Sequence, residues 1–432
     1  MRHAAVLGGT FGAAVLAPLV AGLEPASARP AAVQAAALNA GVHGGQARTA
    51  GYRGARIPVP AGWEVHRLDL DPSRCVRHDR PAIYLGRPGA EQDCPARLIG
   101  GAETLHVEPL DGVSAQRRGG AVRANRLARF AVRESFARRV SVRVPEAGVS
   151  ITGVYGGDAR ALQDVIRSVR LTAAWAAGGS PSAERRGGTA RKEPRIARPT
   201  AREKGWAAGR GFDTCTAPSS RTMAAWRRSY AIANIYIGGA SRGCSQPNLT
   251  RFWVKAVRRM GYRLIPTYVG LQAPCNQDAY RAHFKAKDAA AEGRRAAADA
   301  VARARALGIP RKRPIYFDME AYPSAKTKCR QAVLTFLHSW SRAITARKYV
   351  SGVYSSAGSG IRDLGWATGI AKPKSVWFAH WDNKASAYGS PFLMDHWWHP
   401  HRRIKQYRGP HKEEHGGISL NIDSNVVDGR VY

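Results

Sequence analysis

From residue 211 to the C-terminus, short apolar stretches alternate with longer amphipathic ones. Short stretches rich in Ile, Val, Phe, Tyr and Trp are typical of buried strands, whereas apolar residues that recur every three or four positions indicate helices. The predicted strands are Gly211–Cys215, Ala233–Gly238, Arg263–Val269, Pro314–Glu320, Ser351–Tyr354, Ser375–Trp381, Arg403–Tyr407 and Leu420–Val427. The predicted helices are Arg221–Ser229, Leu249–Met260, Asp278–Leu307 and Lys328–Lys348. Strands that alternate with helices in this way predict an α/β fold, a TIM-like (β/α)8 barrel over residues 211–432.

The pattern between residues 56 and 175 predicts a smaller α+β domain, to which the sequence assigns no role. Its strand-like stretches lie near Trp63–Val65, Ala82–Leu85, Thr104–Val107, Val140–Val144 and Ile151–Tyr155, and helical spacing follows at Ala159–Val169. Residues 29–55 are rich in Ala and Gly without periodicity, and we expect them to be disordered. Residues 176–210 combine repeated Gly and Pro with many basic residues, which indicates a flexible basic linker.

The first residues resemble a signal peptide. Arg2 and His3 precede an Ala-rich apolar run, and Ala26-Ser27-Ala28 offers a small-residue cleavage pattern. We therefore expect residues 1–28 to be removed on export. The alternative is a single membrane anchor, which the repeated Gly and Pro within the run disfavour.

Cysteine usage agrees with export. The six cysteines fall into even sets within each half of the chain, which suits disulfides in an oxidising compartment. Cys75 and Cys94 have only each other within the first domain. In the second domain we favour Cys215 with Cys244 and Cys275 with Cys329. No Cys-x-x-Cys pair occurs, so we predict no zinc site.

The charge balance is strongly basic, with 67 Lys plus Arg against 31 Asp plus Glu. We expect such an exported protein to be attracted to anionic surfaces, either wall polymers or lipid headgroups. Nucleic acid would attract it as well, but no nucleic-acid-binding motif occurs, and we predict no specific nucleic-acid partner. No phosphate-binding loop or dinucleotide fingerprint occurs, so we predict no cofactor. We expect a monomer that acts outside the cytoplasm, in association with the cell wall.

Candidate chemistry begins at the fourth predicted strand, which ends in Asp318-Met319-Glu320. Side chains alternate along a strand, so the two acids share a face, and repulsion between them should raise the pKa of one. A carboxyl group that stays protonated at neutral pH is what a general acid requires. The alternative is that both acids pair with one of the many Arg or Lys side chains. We also place Asp213 at the end of the first strand and Asp423 at the end of the eighth, so we expect all four acids to meet in one open cleft.

Aromatic residues near the strand ends are candidates for sugar stacking. Tyr354, Trp377, Trp381 and Tyr407 lie there, with core packing as the alternative and with Trp381 and Tyr407 the better candidates. Asp395-His396-Trp397-Trp398-His399-Pro400-His401 offers three His and one Asp, but its spacing fits no zinc signature. We predict a solvent-facing aromatic loop there rather than a metal site.

Several of these motifs occur together in a known family. Gly211-Phe212-Asp213, Phe317-Asp318-Met319-Glu320, Gly352-Val353-Tyr354, Trp377-Phe378-Ala379-His380-Trp381, Gln406-Tyr407 and Asn421-Ile422-Asp423 follow the order seen in family 25 glycoside hydrolases. More closely, residues 211–432 resemble the bacterial glycoside-hydrolase-like domain of unknown function 1906. The first domain shares the Cys-Val-Arg pattern at Cys75–Arg77 and the Tyr-Leu-Gly pattern at Tyr84–Gly86.

The resemblance implies a lysozyme-like site. Glu320 would protonate the leaving glycosidic oxygen, and Asp318 would orient an N-acetyl group or stabilise the cation that forms. Asp213 and Asp423 would complete the acidic cluster. Tyr354, Trp381, Gln406 and Tyr407 would contact the sugar.

Two functions therefore compete. The first is acid-assisted hydrolysis of a peptidoglycan-type glycan with N-acetylated sugars, and the second is non-catalytic binding of wall glycan or anionic polymer through a degenerate cleft. A Glu320 clamped by Arg or Lys, or an Asp423 on the far side of the barrel, would overturn the catalytic hypothesis and make wall binding the better account.

Overall fold

The computed structural model describes residues 48–110, 120–133, 135–171, 205–276 and 282–432. The predicted signal peptide lies outside the described residues, as does most of the predicted linker. Among the residues described, we find no helix that is both long enough and apolar enough to cross a membrane.

The N-terminal region, residues 48–171, contains two sheets. Strands β1, β2 and β9 form a three-stranded sheet, and a six-stranded sheet has the order β3-β4-β5-β8-β7-β6. The strands are β1 Thr49–Tyr52, β2 Ala55–Pro58, β3 Glu64–Arg67, β4 Ala82–Leu85, β5 Thr104–Pro109, β6 Gly120–Ala121, β7 Arg139–Val144, β8 Val149–Val154 and β9 Arg170–Leu171. Helix α1, Arg160–Ser168, buries Leu162, Val165 and Ile166, as its helical spacing predicts. Strand β1 lies within the segment that we expected to be disordered.

The C-terminal region forms a closed eight-stranded barrel in chain order. Its strands are β10 Trp206–Asp213, β11 Ile232–Gly238, β12 Arg263–Tyr268, β13 Pro314–Asp318, β14 Val350–Ser356, β15 Ser375–Ala379, β16 Arg403–His415 and β17 Ile418–Arg430. The helices between them are α2 Ser220–Trp226, α3 Arg251–Arg259, α4 Ala289–Ala306, α5 Thr327–Ala346 and α6 Arg362–Trp366. All eight predicted strands exist. β10 already begins at Trp206, inside the predicted linker.

The barrel departs from a regular (β/α)8 arrangement at its last strand. β17 runs antiparallel to both of its neighbours, β16 and β10. Only Gly416 and Gly417 separate β16 from β17, and both have positive φ, 60° and 72°. A two-residue connection permits a hairpin but not the crossover that a parallel pair needs. The β16–β17 connection therefore departs from the predicted TIM-like (β/α)8 pattern, and Asp423, which we expected at a strand end, lies within β17.

One helix is shorter than predicted. We expected a helix over Asp278–Leu307, but α4 begins at Ala289, after a 3-10 turn at Ala286–Asp288. Residues 277–281 lie outside the described part of the chain. The Ala-rich α4 lies close against α5, where a Cβ on Gly293 would come within 2.4 Å of the Phe336 carbonyl oxygen.

Three disulfides form as the spacing indicated. Cys75 pairs with Cys94, Cys215 with Cys244, and Cys275 with Cys329. The first two disulfides pack against each other, and the Cys75 and Cys244 sulfurs lie 3.8 Å apart. The N-terminal region and the barrel therefore meet at a cluster of four half-cystines.

Backbone hydrogen bonds continue this contact. The amide of His78 donates to the Gly243 carbonyl, and the amide of Gly100 donates to the Ser241 carbonyl, both at 2.8 Å. A Cβ on Gly243 would lie 2.2 Å from the Leu98 carbonyl oxygen, so only glycine permits this approach. These bonds fix the loop at residues 94–101 against the barrel.

Candidate functional site

Two acids face each other across the β10–β17 ladder. Asp213, the last residue of β10, is the register partner of Asp423 in β17, and both side chains are fully buried. The Gln406 amide nitrogen donates to both carboxyl groups, at 3.1 Å to each Oδ2. Asn425 donates a second hydrogen bond to Asp213 Oδ2 at 2.6 Å. The antiparallel course of β17 is what brings Asp423 to this position.

This pair holds a proton at neutral pH. Burial, followed by the nearby charge of Asp213, raises the pKa of Asp423 to about 9. Burial also raises the pKa of Asp213, but hydrogen bonds from Asn425 and Gln406 act in the opposite direction. We therefore place the negative charge on Asp213 and the proton on Asp423. The Oδ1 atom of Asp423 is buried and has no hydrogen-bond partner among the described residues.

The fourth barrel strand supplies the other two acids. Asp318 ends β13 and is 1% exposed, whereas Glu320 lies two residues beyond the strand. Gln272 links them, because its side-chain nitrogen donates to the Asp318 carbonyl at 2.9 Å and its side-chain oxygen accepts from the Glu320 amide at 2.8 Å. The position of Glu320 is thus set by Gln272 rather than by strand alternation.

Arg97 from the N-terminal region enters the acidic cluster. Its guanidinium forms an ion pair and a hydrogen bond with Glu320 and lies 3.8 Å from Asp318 Oδ1. The guanidinium carbon also lies 4.6 Å from the Tyr354 ring centre. Burial acts against the charged form of Arg97, but Tyr354 and Asp318 outweigh it, and its pKa stays above the ordinary value. The side chains of Arg97 and Glu320 are each 13% exposed.

This contact corrects two expectations. The cluster is not an open cleft, because Arg97 covers its acids. The group whose pKa rises to about 9 is Asp423, and Glu320, where we predicted a raised pKa, is paired with Arg97. This ion pair is the arrangement that counts against Glu320 as a proton donor.

The predicted sugar contacts fall into four groups. Trp381 is 53% exposed and donates its indole N–H to Gln406 at 3.0 Å, so it presents a ring at the rim of the site. Tyr354 and Gln406 are buried beneath it and bond to each other at 3.1 Å. Trp377 is buried in the barrel and bonds to Asn425. Tyr407 lies close to Arg210.

The sequence did not predict four residues that contact the acidic cluster: Arg97, Tyr236, Gln272 and Asn425. Tyr236 donates to Asp213 Oδ1 at 3.4 Å. For Asn425 a signal existed, since it lies two positions after Asp423 and therefore shares its face. Gln272 follows the third strand closely. Nothing in the sequence distinguishes Arg97 from the many other arginines.

Residues 224–427 match the model of the Rv2525c-like, glycoside hydrolase-like domain. The resemblance that the strand-end motifs carry is therefore confirmed for this part of the chain. No curated protein matches the chain in sequence.

Solved structures of low identity also align with about half of the chain. An uncharacterised protein of B. stearothermophilus is 18% identical over 52% of this chain and 99% of its own, with a TM-score of 0.35. The Tat-secreted protein Rv2525c of Mycobacterium tuberculosis is 17% identical over 50% of this chain and 93% of its own, with a TM-score of 0.34. The modular autolysin LytC of Streptococcus pneumoniae is 12% identical over 51% of this chain and 46% of its own, also with a TM-score of 0.34.

The candidate metal ligands make other contacts. Within the described residues, the group with metal-ligand spacing is Cys75, Cys94 and Cys244, whose sulfurs are held in disulfides. In the loop at residues 395–401, Asp395 lies 3.4 Å from Arg403 and His401 bonds to Asp428. Those side chains serve the local structure.

Proposed function

We propose that this protein is exported and engages a cell-wall glycan at the acidic cluster of its barrel, where it hydrolyses glycosidic bonds once Arg97 has left. The observation that carries the proposal is the convergence of four carboxyl groups beneath one exposed tryptophan. Glycoside hydrolysis uses a proton donor and a nearby anion, because its transition state resembles an oxocarbenium ion. Exposed indole rings stack on the apolar faces of sugars.

The division of charge within the cluster supports acid-assisted chemistry. Asp423 retains a proton beside an ionised Asp213, and its free Oδ1 can meet a polar group of a substrate. Glu320 occupies the position that the resemblance gives to the general acid. In the state described its charge is neutralised by Arg97, so proton donation from Glu320 requires Arg97 to withdraw first.

Export is supported by the three disulfides and by the signal-like N-terminus. Disulfides persist in oxidising compartments, where wall glycan is the abundant substrate. We propose peptidoglycan-type sugars for this reason.

The second candidate is glycan binding without hydrolysis. It is favoured by the Arg97–Glu320 pair itself, because a permanently paired acid has no catalytic use. The two candidates differ in whether the pair opens. They share the glycan and the exposed face of Trp381.

The test uses four full-length proteins on purified peptidoglycan: the wild type, Arg97→Ala, Glu320→Gln and the double variant. Released reducing ends measure hydrolysis, and co-sedimentation measures binding. We expect Arg97→Ala to increase release and Glu320→Gln to abolish it in the Arg97→Ala background. Arg80→Ala, at an exposed arginine of the same region, is the matched control and should leave release unchanged.

Binding without release in every variant would establish the non-catalytic candidate. A protein that neither binds nor cleaves peptidoglycan in any variant would overturn the proposal as a whole.

A further inference from the structure

A cavity lies at the opposite end of the barrel from the acidic cluster. Lys374 directly precedes β15 and Arg402 directly precedes β16, whereas Asp318 ends the parallel strand β13. Parallel strands begin at one end of a barrel and finish at the other, so these basic residues and the acids are separated by the barrel's length. The cavity has a volume of about 750 Å³, within the range of ligand sites. We call it the basic pocket.

Cations dominate the basic pocket. Among the described residues that line it, four are basic and none is acidic: Arg342, Lys372, Lys374 and Arg402. Two of them use their polar groups on backbone carbonyls. Lys372 Nζ donates to the Gly365 carbonyl at 2.6 Å, and Arg402 donates to the carbonyl of His399. Burial lowers the pKa of Lys372, which marks a cation that carries a desolvation cost.

The pocket also contains a buried hydroxyl group, that of Ser341. Ser341 lies on α5 and lines the pocket, with 2% of its surface exposed. Its Oγ atom has no hydrogen-bond partner among the described residues. Buried polar atoms are almost always paired, and a ligand oxygen in the pocket would satisfy this one.

Tryptophans form one wall of the pocket. Trp397 and Trp398 both line it, and Trp398 is fixed by a hydrogen bond from its indole N–H to the Pro373 carbonyl at 2.8 Å. A Cβ on Gly365 would lie 2.1 Å from the Trp397 ring, so glycine is required for the ring to settle there. Trp366 meets Trp397 edge-on and is 62% exposed. Specific contacts therefore hold the tryptophan rings of this wall in place.

We propose that the basic pocket binds a segment of a polymer of polyol phosphates. The four cations match phosphate oxygens, which Arg and Lys bind through charge-assisted hydrogen bonds. The tryptophan wall suits the C–H faces of the polyol between phosphates, and Ser341 suits one of its oxygens. A concave pocket with an aromatic wall favours a flexible chain over a flat membrane surface. This site is separate from the acidic cluster, so the proposal stands or falls independently of glycan hydrolysis.

The test measures binding of a synthetic glycerol phosphate oligomer to the full-length protein by calorimetry and by tryptophan fluorescence. The pocket variant is Arg342→Glu with Lys374→Glu, two exposed positions on the pocket rim. We expect it to weaken binding by about tenfold or more, because two phosphate contacts become repulsive. The matched control is Lys255→Glu with Arg259→Glu, on the exposed face of α3, which makes the same change in net charge. It should weaken binding by less than about twofold, since remote exposed charges are screened by salt.

A third variant, Ser341→Ala, keeps every charge and should weaken binding by about threefold through the lost hydrogen bond. Circular dichroism verifies the fold of each variant. Equal losses in the pocket and control variants would overturn the proposal, because binding would then follow net charge alone. Stronger binding to phosphatidylglycerol vesicles than to the oligomer, with the pocket variant unaffected, would also overturn it in favour of a lipid surface.

Discussion

Arg97 and Glu320, which stand 223 positions apart in the chain, form an ion pair inside the barrel. The arginine comes from a loop that the Cys75–Cys94 disulfide and the backbone bonds of His78 and Gly100 hold against the barrel. The N-terminal region is therefore part of the acidic site, although the domain pattern of the sequence separates the two.

Replacing Arg97 by Ala should lower the free energy of unfolding by about 3 kcal/mol, because it removes the guanidinium that pairs with Glu320 and lies near the buried carboxylate of Asp318. Urea denaturation measures this. Glu320→Gln in the same chain should recover part of the loss, since the amide carries no charge. If the two substitutions instead add without coupling, the pair is not the source of the stability.

The pH dependence of stability should reveal Asp423. Its folded pKa of about 9 lies above that of an unfolded aspartate, so the folded state binds a proton that the unfolded state releases as the pH rises from about 4 to 9. Stability is therefore lost with rising pH across that window, by up to about 1.4 kcal/mol per pH unit. Asp423→Asn removes the titration, and its unfolding free energy at pH 5, 7 and 9 should fall less steeply than that of the wild type. Asp164→Asn, at an exposed helical position, should leave the slope unchanged; a parallel slope for Asp423→Asn would contradict the assignment.

The Cys75–Cys94 and Cys275–Cys329 disulfides should differ in their effect on the acidic site. Replacing Cys75 and Cys94 by Ser should cost about 3 kcal/mol and release the loop that carries Arg97, because this bond closes a short loop at the contact with the barrel. Replacing Cys275 and Cys329 by Ser should cost a similar amount without loosening Arg97. Hydrogen exchange of the amides at residues 94–101 distinguishes them. Equal protection in the two variants would show that the first disulfide does not hold the loop.

Trp381→Ala should weaken peptidoglycan binding about tenfold while lowering the unfolding free energy by about 1 kcal/mol, since the ring is half exposed and its contacts are with Gly409 and Gln406. Phe252→Ala is the control, because Phe252 is 85% exposed on α3. Both variants should keep the fold of the wild type, and only the first should lose binding in co-sedimentation. A Trp381→Ala protein that binds normally would remove this ring from the proposed glycan site.

The sequence predicted the strands well because each is a short apolar run bounded by Gly, Pro or charged residues. It also predicted Asp213 and Asp318 at the site, since acids at the ends of parallel strands meet at one rim. It did not predict the direction of β17, although Gly416-Gly417 between two strand-like stretches is a hairpin signal. The contact of Arg97 with the acidic cluster could not be predicted from the sequence. Arg97 lies in a loop without a periodic pattern, and its contact depends on how the N-terminal region packs on the barrel.

The Gly416-Gly417 hairpin constrains how this protein can change in length. Five residues lie between the turn and Asp423, and each step along β17 reverses the side of the sheet that a side chain faces. Deleting or inserting one residue there would point Asp423 outward and turn its neighbours Ile422 and Ser424 into the barrel. We therefore expect natural insertions and deletions in the β16–β17 hairpin to add or remove two residues per strand. Changes of a single residue should be confined to the Gly416-Gly417 turn.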